Sequence, residues 1–518
     1  MRRLITAVLL ACVATPVLAR TVVVEEVSLD RLRTLMNDGG ASSVDITQAY
    51  LARIAAMDRK GPALHSVIAV NPEAIAQARA LDAERKAGHV RGPLHGIPIL
   101  IKDNIETADP LPTTAGSLAL RDNMTRRDAP MVAYLRRAGA VILGKTNLSE
   151  WANIRSTHSM SGWSAVGGLV RNPYALDRTA CGSSSGSGAA VAASFAAAAV
   201  GTETDGSVVC PSSLNGLVGF KPSIGLVSRT HVVPISHSQD TPGPMARSVT
   251  DVAILLSGMV GADPADRVTA AAVTRDYAAG LSLSALSGMR VGVVRPDGMS
   301  ADLVVRYNAA LNVLRAAGAV LVEVKTPKLD GLGEAELMVL KTELKADLNT
   351  YLATTPAAVQ TKTLGAVIAF NRANAATEMP FFAQELFEDA DKTKGLDDPA
   401  YKAARATSLR LAGAQGIDAM LRAAGAQILV EPTYDAAWLS DPVYGDTYAG
   451  PSAATLPAVA GYPHLTVPMG LVRGLPVGLS FIATKDADQT VLRAGYAYEQ
   501  RAKARSAPRY LPSIAVER

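Results

Sequence analysis

The sequence predicts an α/β fold, in which a β-sheet is covered by helices, and three observations support this prediction. The chain has 518 residues, of which 48% are hydrophobic and 19% charged, so it can bury a large core and is not a disordered protein. Beyond residue 96, short apolar runs alternate with longer stretches of helical pattern, as in α/β proteins. Only three cysteines are present, so packing rather than a disulfide framework must hold the fold.

The first half of the chain contains most of the boundary signals. Ser28 and Ser43 are suitable N-cap residues for two helices, and Pro72 precedes a third. Apolar runs then predict strands that alternate with helices. The predicted helices are 29–36, 44–57, 73–87, 131–138 and 186–199, and the predicted strands are 97–101, 140–143 and 200–203.

The second half continues this alternation and adds a long helical stretch. Strands are predicted at 291–294, 320–324, 428–430, 465–467 and 478–482, and helices around 302–317, 334–351 and 399–424. Most of the segment 301–422 has a helical pattern. We therefore expect a mainly helical inserted region between the sheet-forming parts of the chain.

The first twenty residues predict export. Two arginines precede an apolar run over residues 4–14, and the segment that ends at Ala19 carries the small residues that a signal peptidase recognises. The run is shorter than the roughly 20 residues of a membrane span, so we expect no stable span. We interpret 1–19 as a signal peptide cut after Ala19, which predicts a periplasmic or secreted protein. Lipidation at Cys12 remains an alternative.

The charge balance gives no indication of a polyanionic partner. Lys and Arg total 51 and Asp and Glu total 47, a formal net charge of +4 over 518 residues. A nearly neutral chain of this length favours neither nucleic acid nor an anionic membrane surface as a partner. The sequence leaves the oligomeric state open.

Residues 139–146 match the P-loop pattern, but they do not suit a phosphate. A phosphate-binding loop must curl between a strand and a helix. Here the four variable positions are Ala, Val, Ile and Leu, which favour a strand. The seven histidines are scattered and none forms an HExxH pair, so we expect no metal and no cofactor.

Residues 182–186 match the nucleophile elbow of α/β-hydrolases, with Ser184 as the nucleophile. That elbow requires an acid and then a histidine later in the chain. Only His464 lies far downstream of it. An esterase of the α/β-hydrolase type is therefore one alternative function.

A second interpretation uses two Gly/Ser turns, around Ser183 and Ser207. The helix predicted between them has fourteen residues and would advance about 21 Å. Seven extended residues would return about 23 Å. The two turns can therefore meet at the N-terminal end of the helix, where free amides stabilise developing negative charge.

Lys102 is the candidate base, because it ends the apolar strand at 97–101. The neighbouring isoleucines and leucine favour burial, and burial lowers the pKa of a lysine. A base that works near neutral pH needs this pKa lowered from ~10.4 to ~7.

Together these residues resemble the amidase signature family, the serine hydrolases with a Ser–cisSer–Lys triad. The order and spacing of Ser183 and Ser207 carry the resemblance, and residues 202–207 with two flanking cysteines look most like the bacterial peptide amidases. The matching motifs lie at 96–103, 144–151, 182–184, 201–207, 219–222, 240–244, 466–470 and 474–478. The resemblance implies a large mixed sheet with helices on both faces. Since the motifs must converge, we expect one domain over 20–518.

The resemblance also implies a role for each site residue. Ser207 would be the nucleophile, Lys102 the general base, and Ser183, preceded by a cis peptide bond, the relay between them. The oxyanion hole would be formed by the backbone amides of four residues, Thr204, Asp205, Gly206 and Ser207.

This chain departs from the family pattern at three positions near the site. Glu203 stands where many members have Asp, Asp205 where many have Gly, and Val209 where an Arg is common. Loss of that Arg favours neutral or capped amides as substrates. Cys181 and Cys210 either pair in an oxidising compartment or remain buried thiols.

The leading hypothesis is an exported amidase that releases ammonia from a small-molecule or peptide amide, with C-terminal peptide amides as one candidate. Besides the esterase, two alternatives remain: an amidase subunit of a tRNA-dependent amidotransferase, and a non-catalytic binding protein on the same scaffold.

Overall fold

The centre of the protein is one mixed sheet. The computed structural model describes residues 22–514, so the predicted signal peptide and Cys12 lie outside the described residues. Within 22–514 the sheet has eleven strands. Its strands are β1 (Val67–Val70), β2 (Pro98–Lys102), β3 (Val141–Thr146), β6 (Ala198–Glu203), β7 (Val218–Lys221), β8 (Thr241–Ala246), β9 (Arg290–Val294), β10 (Val320–Val324), β11 (Ile428–Pro432), β12 (His464–Val472) and β13 (Leu475–Ile482). A separate hairpin pairs β4 (Trp163–Ser164) with β5 (Gly168–Leu169).

The sheet combines parallel and antiparallel pairing. The strand order is β1-β3-β2-β6-β8-β7-β12-β13-β11-β9-β10. β2 is parallel to β3 and β6, and β9 is parallel to β10 and β11. The other neighbours are antiparallel. The predicted mixed sheet is therefore confirmed.

Helices cover the sheet. They are α1 (Leu29–Asn37), α2 (Ser43–Met57), α3 (Ala74–Lys86), α4 (Pro130–Arg137), α5 (Ser185–Ala192), α6 (Val209–Leu214), α7 (Val249–Ser257), α8 (Ala301–Ala316), α9 (Leu332–Ala353), α10 (Leu364–Ala373), α11 (Ala375–Glu378), α12 (Glu385–Asp391), α13 (Pro399–Leu409), α14 (Asp418–Ala424), α15 (Thr455–Ala460) and α16 (Asp488–Ala502). No helix within residues 22–514 is both long and apolar enough to cross a membrane.

The helix between the two Gly/Ser turns is shorter than predicted. α5 has eight residues instead of fourteen, and β6 begins at Ala198. The helix ends because Ser194 adopts a left-handed conformation with φ 58°, and the Phe195 N–H donates back to the carbonyl of Ala190 at 2.8 Å. This 6→1 bond is the one that closes a Schellman motif.

Two other helix boundaries differ from the prediction. Ser42 rather than Ser43 caps α2, because its hydroxyl accepts the Asp45 N–H while the Asp45 carboxylate accepts the Ser42 N–H. The helix predicted over 399–424 is two helices, α13 and α14, joined by a π-helical segment, Arg410–Ile417. That segment contains two glycines, which have low helix propensity.

The sequence pattern does not predict β1, β7 or β8. β8 is the least expected, because it contains Pro242 and Pro244, and prolines are rare in central strands. On the β7 side, pairing is confined to Met245 and Ala246, so neither proline interrupts that ladder.

The segment 301–422 contributes to the sheet and to the surroundings of the site. α8 and β10 belong to the edge of the sheet, since β10 is the last strand in the order. α9, α10 and α12 pack against Trp151, Val233 and Ile235 in a hydrophobic cluster distinct from the main core. The helices of this segment therefore lie against the chain around the site.

Candidate active site

Two serine loops line a pocket with a volume of about 300 Å³. The first serine loop, residues 181–184, leads into α5, and the second serine loop, residues 204–207, follows β6. Cys181, Gly182 and Ser207 all contribute to the lining. The two turns therefore lie together, as the sequence predicts, although α5 is only half as long as expected.

The two loops are joined by a covalent bond and by a hydrogen bond. The Ser184 N–H donates to the Ser207 carbonyl at 3.1 Å. Cys181 and Cys210 form a disulfide with a Cα–Cα distance of 6.0 Å, which decides between the two arrangements that the sequence leaves open. The Gly182–Ser183 peptide bond is cis, so that implication of the resemblance is confirmed.

Lys102 lies at the end of a fully buried strand and points at the first serine loop. Its side chain has no solvent exposure. Its Nζ donates to the Ser183 Oγ at 2.7 Å and to the Thr202 Oγ1 at 2.9 Å. β2 pairs with β6 just before these residues, so the register of the sheet places Lys102 beside Thr202.

The surroundings of Lys102 favour its neutral form near neutral pH. Burial lowers its pKa to about 7, and the charges of Asp240 and Glu203 oppose this shift. In the described chain no carboxylate oxygen lies within the 4 Å of an ion pair from its Nζ. A buried lysine without a carboxylate in contact loses its proton more readily than one in an ion pair, because the compensating charges lie farther away.

The second serine loop presents backbone amides to the pocket. Gly206 has φ 80°, and a Cβ there would lie 2.6 Å from the Tyr434 hydroxyl, so only glycine fits. Among residues 22–514, the N–H groups of Thr204, Asp205 and Ser207 have no hydrogen-bond acceptor. These amides are available to a substrate oxygen.

Glu203 hydrogen-bonds to the backbone that follows the second serine loop. Its buried carboxylate accepts the N–H of Val208 at 2.7 Å and of Val209 at 3.0 Å. Glu203 therefore holds the backbone that directly follows the four residues whose amides the resemblance implies for an oxyanion hole.

The walls of the pocket are aromatic and acidic. Tyr434, Trp438 and Tyr448 pack edge to face, with ring centroids 5.5 and 5.3 Å apart. Asp205 and Asp446 are the acidic residues of the lining, and no lysine, arginine or histidine belongs to it. A substrate carboxylate would thus find no cationic side chain on these walls.

The structure does not support the α/β-hydrolase alternative. Ser184 is fully buried, and its hydroxyl donates to the Thr202 carbonyl at 3.1 Å instead of facing the pocket. His464 is also buried and shares a 2.6 Å hydrogen bond with the Ser480 Oγ. Burial lowers the pKa of His464 to about 3. Neither residue is placed for nucleophilic catalysis.

The P-loop match is a strand, as expected. Its residues 141–146 form the buried strand β3, and the Nζ of Lys145 donates to the Ile105 carbonyl at 2.6 Å and to the Thr113 Oγ1 at 2.8 Å. The segment offers no loop that could surround a phosphate.

Several residues near the site are not predicted from the sequence. Thr202 contacts Lys102 and accepts a hydrogen bond from the Asn104 Nδ2 at 2.9 Å. Asp240 accepts the Thr204 hydroxyl at 2.6 Å. Each of these three residues, Thr202, Asn104 and Asp240, lies in or next to one of the motifs that carry the resemblance. This closeness in sequence is the signal from which they could have been predicted.

Comparison with known proteins agrees with this geometry. The family model described as Amidase matches residues 45–492. A probable amidase from Arabidopsis thaliana is 36% identical over 507 residues, which cover 95% of this chain and 93% of the relative. A glutamyl-tRNA(Gln) amidotransferase subunit from Thermobifida fusca is 34% identical over 496 residues, or 92% of this chain and 95% of the relative.

Solved structures extend the similarity to the fold. The native peptide amidase from Stenotrophomonas maltophilia superimposes with a TM-score of 0.90 at 48% identity, covering 94% of this chain and 99% of that one. An amidase family protein from Bacillus anthracis gives a TM-score of 0.85 at 35% identity, with 94% and 93% covered.

Proposed function

The chain belongs to the amidase family and is an amide hydrolase, and from this premise we propose that Ser207, Ser183 and Lys102 cleave a primary carboxamide through an acyl-enzyme. The 2.7 Å contact between the Lys102 Nζ and the Ser183 Oγ carries the proposal. It links a buried amine to the loop that adjoins Ser207.

The first half of the reaction forms the acyl-enzyme. Neutral Lys102 accepts the proton of the Ser183 hydroxyl, and Ser183 takes the proton of Ser207 as the Ser207 Oγ bonds to the substrate carbonyl carbon. The negative charge that develops on the carbonyl oxygen is stabilised by the free amides of the second serine loop. The C–N bond then breaks, and the proton returns through Ser183 to the leaving nitrogen, which departs as ammonia.

The second half releases the product. A water molecule loses a proton to the same relay and attacks the ester carbon of the acyl-enzyme. The Ser207 oxygen leaves with the returned proton, so the carboxylic acid departs and the triad is restored. No cofactor takes part in this scheme.

We propose C-terminal peptide amides as the substrate class. Two observations support this choice: the similarity to a peptide amidase, and a 300 Å³ pocket without a cationic lining residue. A pocket of this volume accepts more than a simple aliphatic amide. A free peptide carboxylate would be poorly held because no cationic side chain lines the pocket.

We also propose that the protein acts outside the cytoplasm. The support is the sequence of residues 1–19, together with a disulfide beside the site, since disulfides persist in oxidising compartments. N-terminal sequencing of protein from the periplasm and the medium tests this proposal. A mature chain that begins at Arg20 is expected, and an uncleaved cytoplasmic protein would contradict it.

The experiment for the activity is ammonia release from an amidated peptide, compared with the same peptide as its N-methylamide and with an aliphatic amide. We expect the primary peptide amide to be hydrolysed fastest. Ser207→Ala should reduce the rate by about 10⁶-fold, leaving only the residual activity of a site without its nucleophile. Substantial turnover by Ser207→Ala would contradict the assignment.

An amidotransferase component is the second candidate, because the Thermobifida fusca relative covers nearly the whole chain. In that case ammonia release would depend on a charged tRNA and partner proteins. Turnover of a peptide amide by the isolated protein excludes this candidate, whereas hydrolysis seen only in the presence of those partners supports it.

A further inference from the structure

Helix α9 presents an acidic face to the site. Glu336, Glu343 and Asp347 lie seven and four residues apart along it, which places them on one side of the helix. Leu340, between them, lines the pocket. α9 therefore forms part of the active-site wall, although it belongs to the helical segment far from the family motifs.

Glu336 contacts the second serine loop directly. Its side chain hydrogen-bonds to the side chain of Asp205. Glu336 is only 7% exposed, and Asp205 borders the pocket. Thr455 donates its hydroxyl to the other side of Asp205, to the Oδ2 at 2.9 Å. One carboxyl group of this pair must carry a proton to hydrogen-bond to the other.

Gln239 forms a second link between the same two elements. Its Nε2 donates to the Glu336 Oε1 at 2.9 Å and to the Thr204 carbonyl at 3.2 Å. The hydroxyl of Thr204 is in turn held by Asp240 at 2.6 Å. The second serine loop is thus linked to α9 on both sides of the Thr204–Asp205 peptide.

The rest of the acidic face secures α9 to the segment that contains Gln239. Glu343 accepts the hydroxyls of Ser236 and Ser238, and the Asp347 Oδ2 accepts the His237 N–H at 2.9 Å. The oxygens of Glu343 are therefore occupied by protein donors. This junction holds the segment 236–240 between the helix and the loop.

We propose that Glu336 is a positioning residue for amide hydrolysis: through Asp205 and Gln239 it holds the second serine loop in its reactive shape, and it does so only while the Glu336–Asp205 pair keeps one proton. The inference rests on the proposed role of that loop in catalysis. It assigns the helical segment a part in the reaction.

The electrostatics of the pair give the direction of the pH dependence. Burial, and then the charge of Glu336, raise the pKa of Asp205, and burial raises the pKa of Glu336. Glu203 and Tyr434 also face Asp205, and Lys221 supplies the opposing positive charge. Because both pKa values are raised, the pair keeps its proton as the pH rises past the usual carboxyl range. Loss of the proton places two like charges in contact and separates the loop from α9.

This alkaline effect is distinguishable from the titration of Lys102. Lys102 becomes a better base as the pH rises, so its titration lowers activity only on the acidic side. A fall in kcat on the alkaline side must come from another group. A glutamine at 336 supplies an N–H to Asp205 at every pH and removes one of the two acids.

The test measures kcat and KM between pH 6 and 10 for ammonia release from an N-acetylated dipeptide amide. We expect the wild type to lose at least about tenfold in kcat between neutral pH and pH 10, and Glu336→Gln to lose less than about threefold, with KM unchanged in both. Glu334→Gln, at an exposed position on the same helix, is the matched control and should follow the wild type. Melting temperatures at each pH separate this effect from unfolding.

Two further variants keep the test decisive. Asp205→Asn removes the other acid and should also suppress the alkaline fall. Glu336→Ala should lower kcat at neutral pH by about tenfold, since it leaves Asp205 without its partner. A wild-type alkaline fall in Glu336→Gln, or a wild-type kcat in Glu336→Ala, would overturn the inference. If Ser207→Ala remains active, the proposed function itself is wrong, which is a separate outcome.

Discussion

Two fully buried lysines, Lys102 and Lys145, lie at the ends of adjacent parallel strands and differ in whether a carboxylate lies beside them. Each Nζ donates to a side-chain hydroxyl and to a backbone carbonyl, but only Lys145 also lies beside a carboxylate, that of Asp103 at 3.7 Å. Burial lowers the pKa of both, but for Lys145 three carboxylates oppose the shift, with Asp103 the strongest. The comparison teaches that burial alone does not make a lysine a base, because the partner of its Nζ decides which protonation state is stable.

The largest expected effect contrasts the two lysines directly. Lys102→Met removes the base and should lower kcat for peptide amide hydrolysis by about 10³-fold while the protein stays folded. Lys145→Met leaves Asp103 buried without its partner and should cost about 3 kcal/mol of stability. The folded fraction of Lys145→Met should keep nearly full activity. Ammonia release per folded molecule, with the folded fraction taken from denaturant curves, checks both expectations.

The opposite results for the two lysine variants would contradict the roles assigned to Lys102 and Lys145. If Lys145→Met lost turnover while remaining folded, Lys145 would belong to the catalytic apparatus. An active Lys102→Met would remove the base from the proposed relay.

The next effect concerns the loop that brings Ser183 to Lys102. The Cys181–Cys210 disulfide spans 29 residues, and a bridge of that size contributes about 3–4 kcal/mol by restricting the unfolded chain. Replacing both cysteines with alanine should lower the unfolding free energy by that amount and lower kcat more than KM rises. Urea unfolding and steady-state kinetics measure the two effects. Reductant should reproduce them in the wild type and leave the double variant unchanged.

The smallest predicted effect is a shift in the pH dependence of activity, caused by the charges around Lys102. Activity should fall toward acidic pH as Lys102 becomes protonated, with an apparent pKa near the value of about 7 that burial imposes. The charge of Asp240 favours protonated Lys102, so Asp240→Asn should move this limb to lower pH by less than about one unit. Profiles of kcat/KM against pH measure the shift, and Asp397→Asn, an exposed position, is the control. A shift to higher pH would contradict the assigned sign.

The sequence predicts that the residues of the proposed triad lie close together, because the signals that place them are local. Lys102 follows an apolar run, and Ser183 and Ser207 lie in Gly/Ser turns whose spacing a helix and a strand can bridge. Even the wrong length of α5 does not change this result, because a shorter helix and a longer strand bring the turns to the same place. The α/β class follows from the alternation of apolar runs and helices, whereas the mixed pairing of the strands is implied by the resemblance to the family.

The surroundings of the triad depend on contacts that no local pattern reveals. Glu336 reaches Asp205 across more than a hundred residues, and Gln239 is an ordinary turn residue until α9 packs against it. The two prolines of β8 prevent its prediction as a strand from sequence. It forms a strand because it pairs with neighbouring strands, not because of its own β propensity. Such residues are found only once the fold is known.

In the proposed mechanism Lys102 activates Ser207 through Ser183, and the rate at which a fluorophosphonate labels Ser207 measures this activation. The measurement compares the wild type, Lys102→Met and Lys145→Met across pH, with the modified residue identified by mass spectrometry. Labelling of Ser207 should rise with an apparent pKa near 7, persist in Lys145→Met and fall by about 10³-fold in Lys102→Met. Equal labelling of Ser207 in wild type and Lys102→Met, or labelling of another serine, would contradict it.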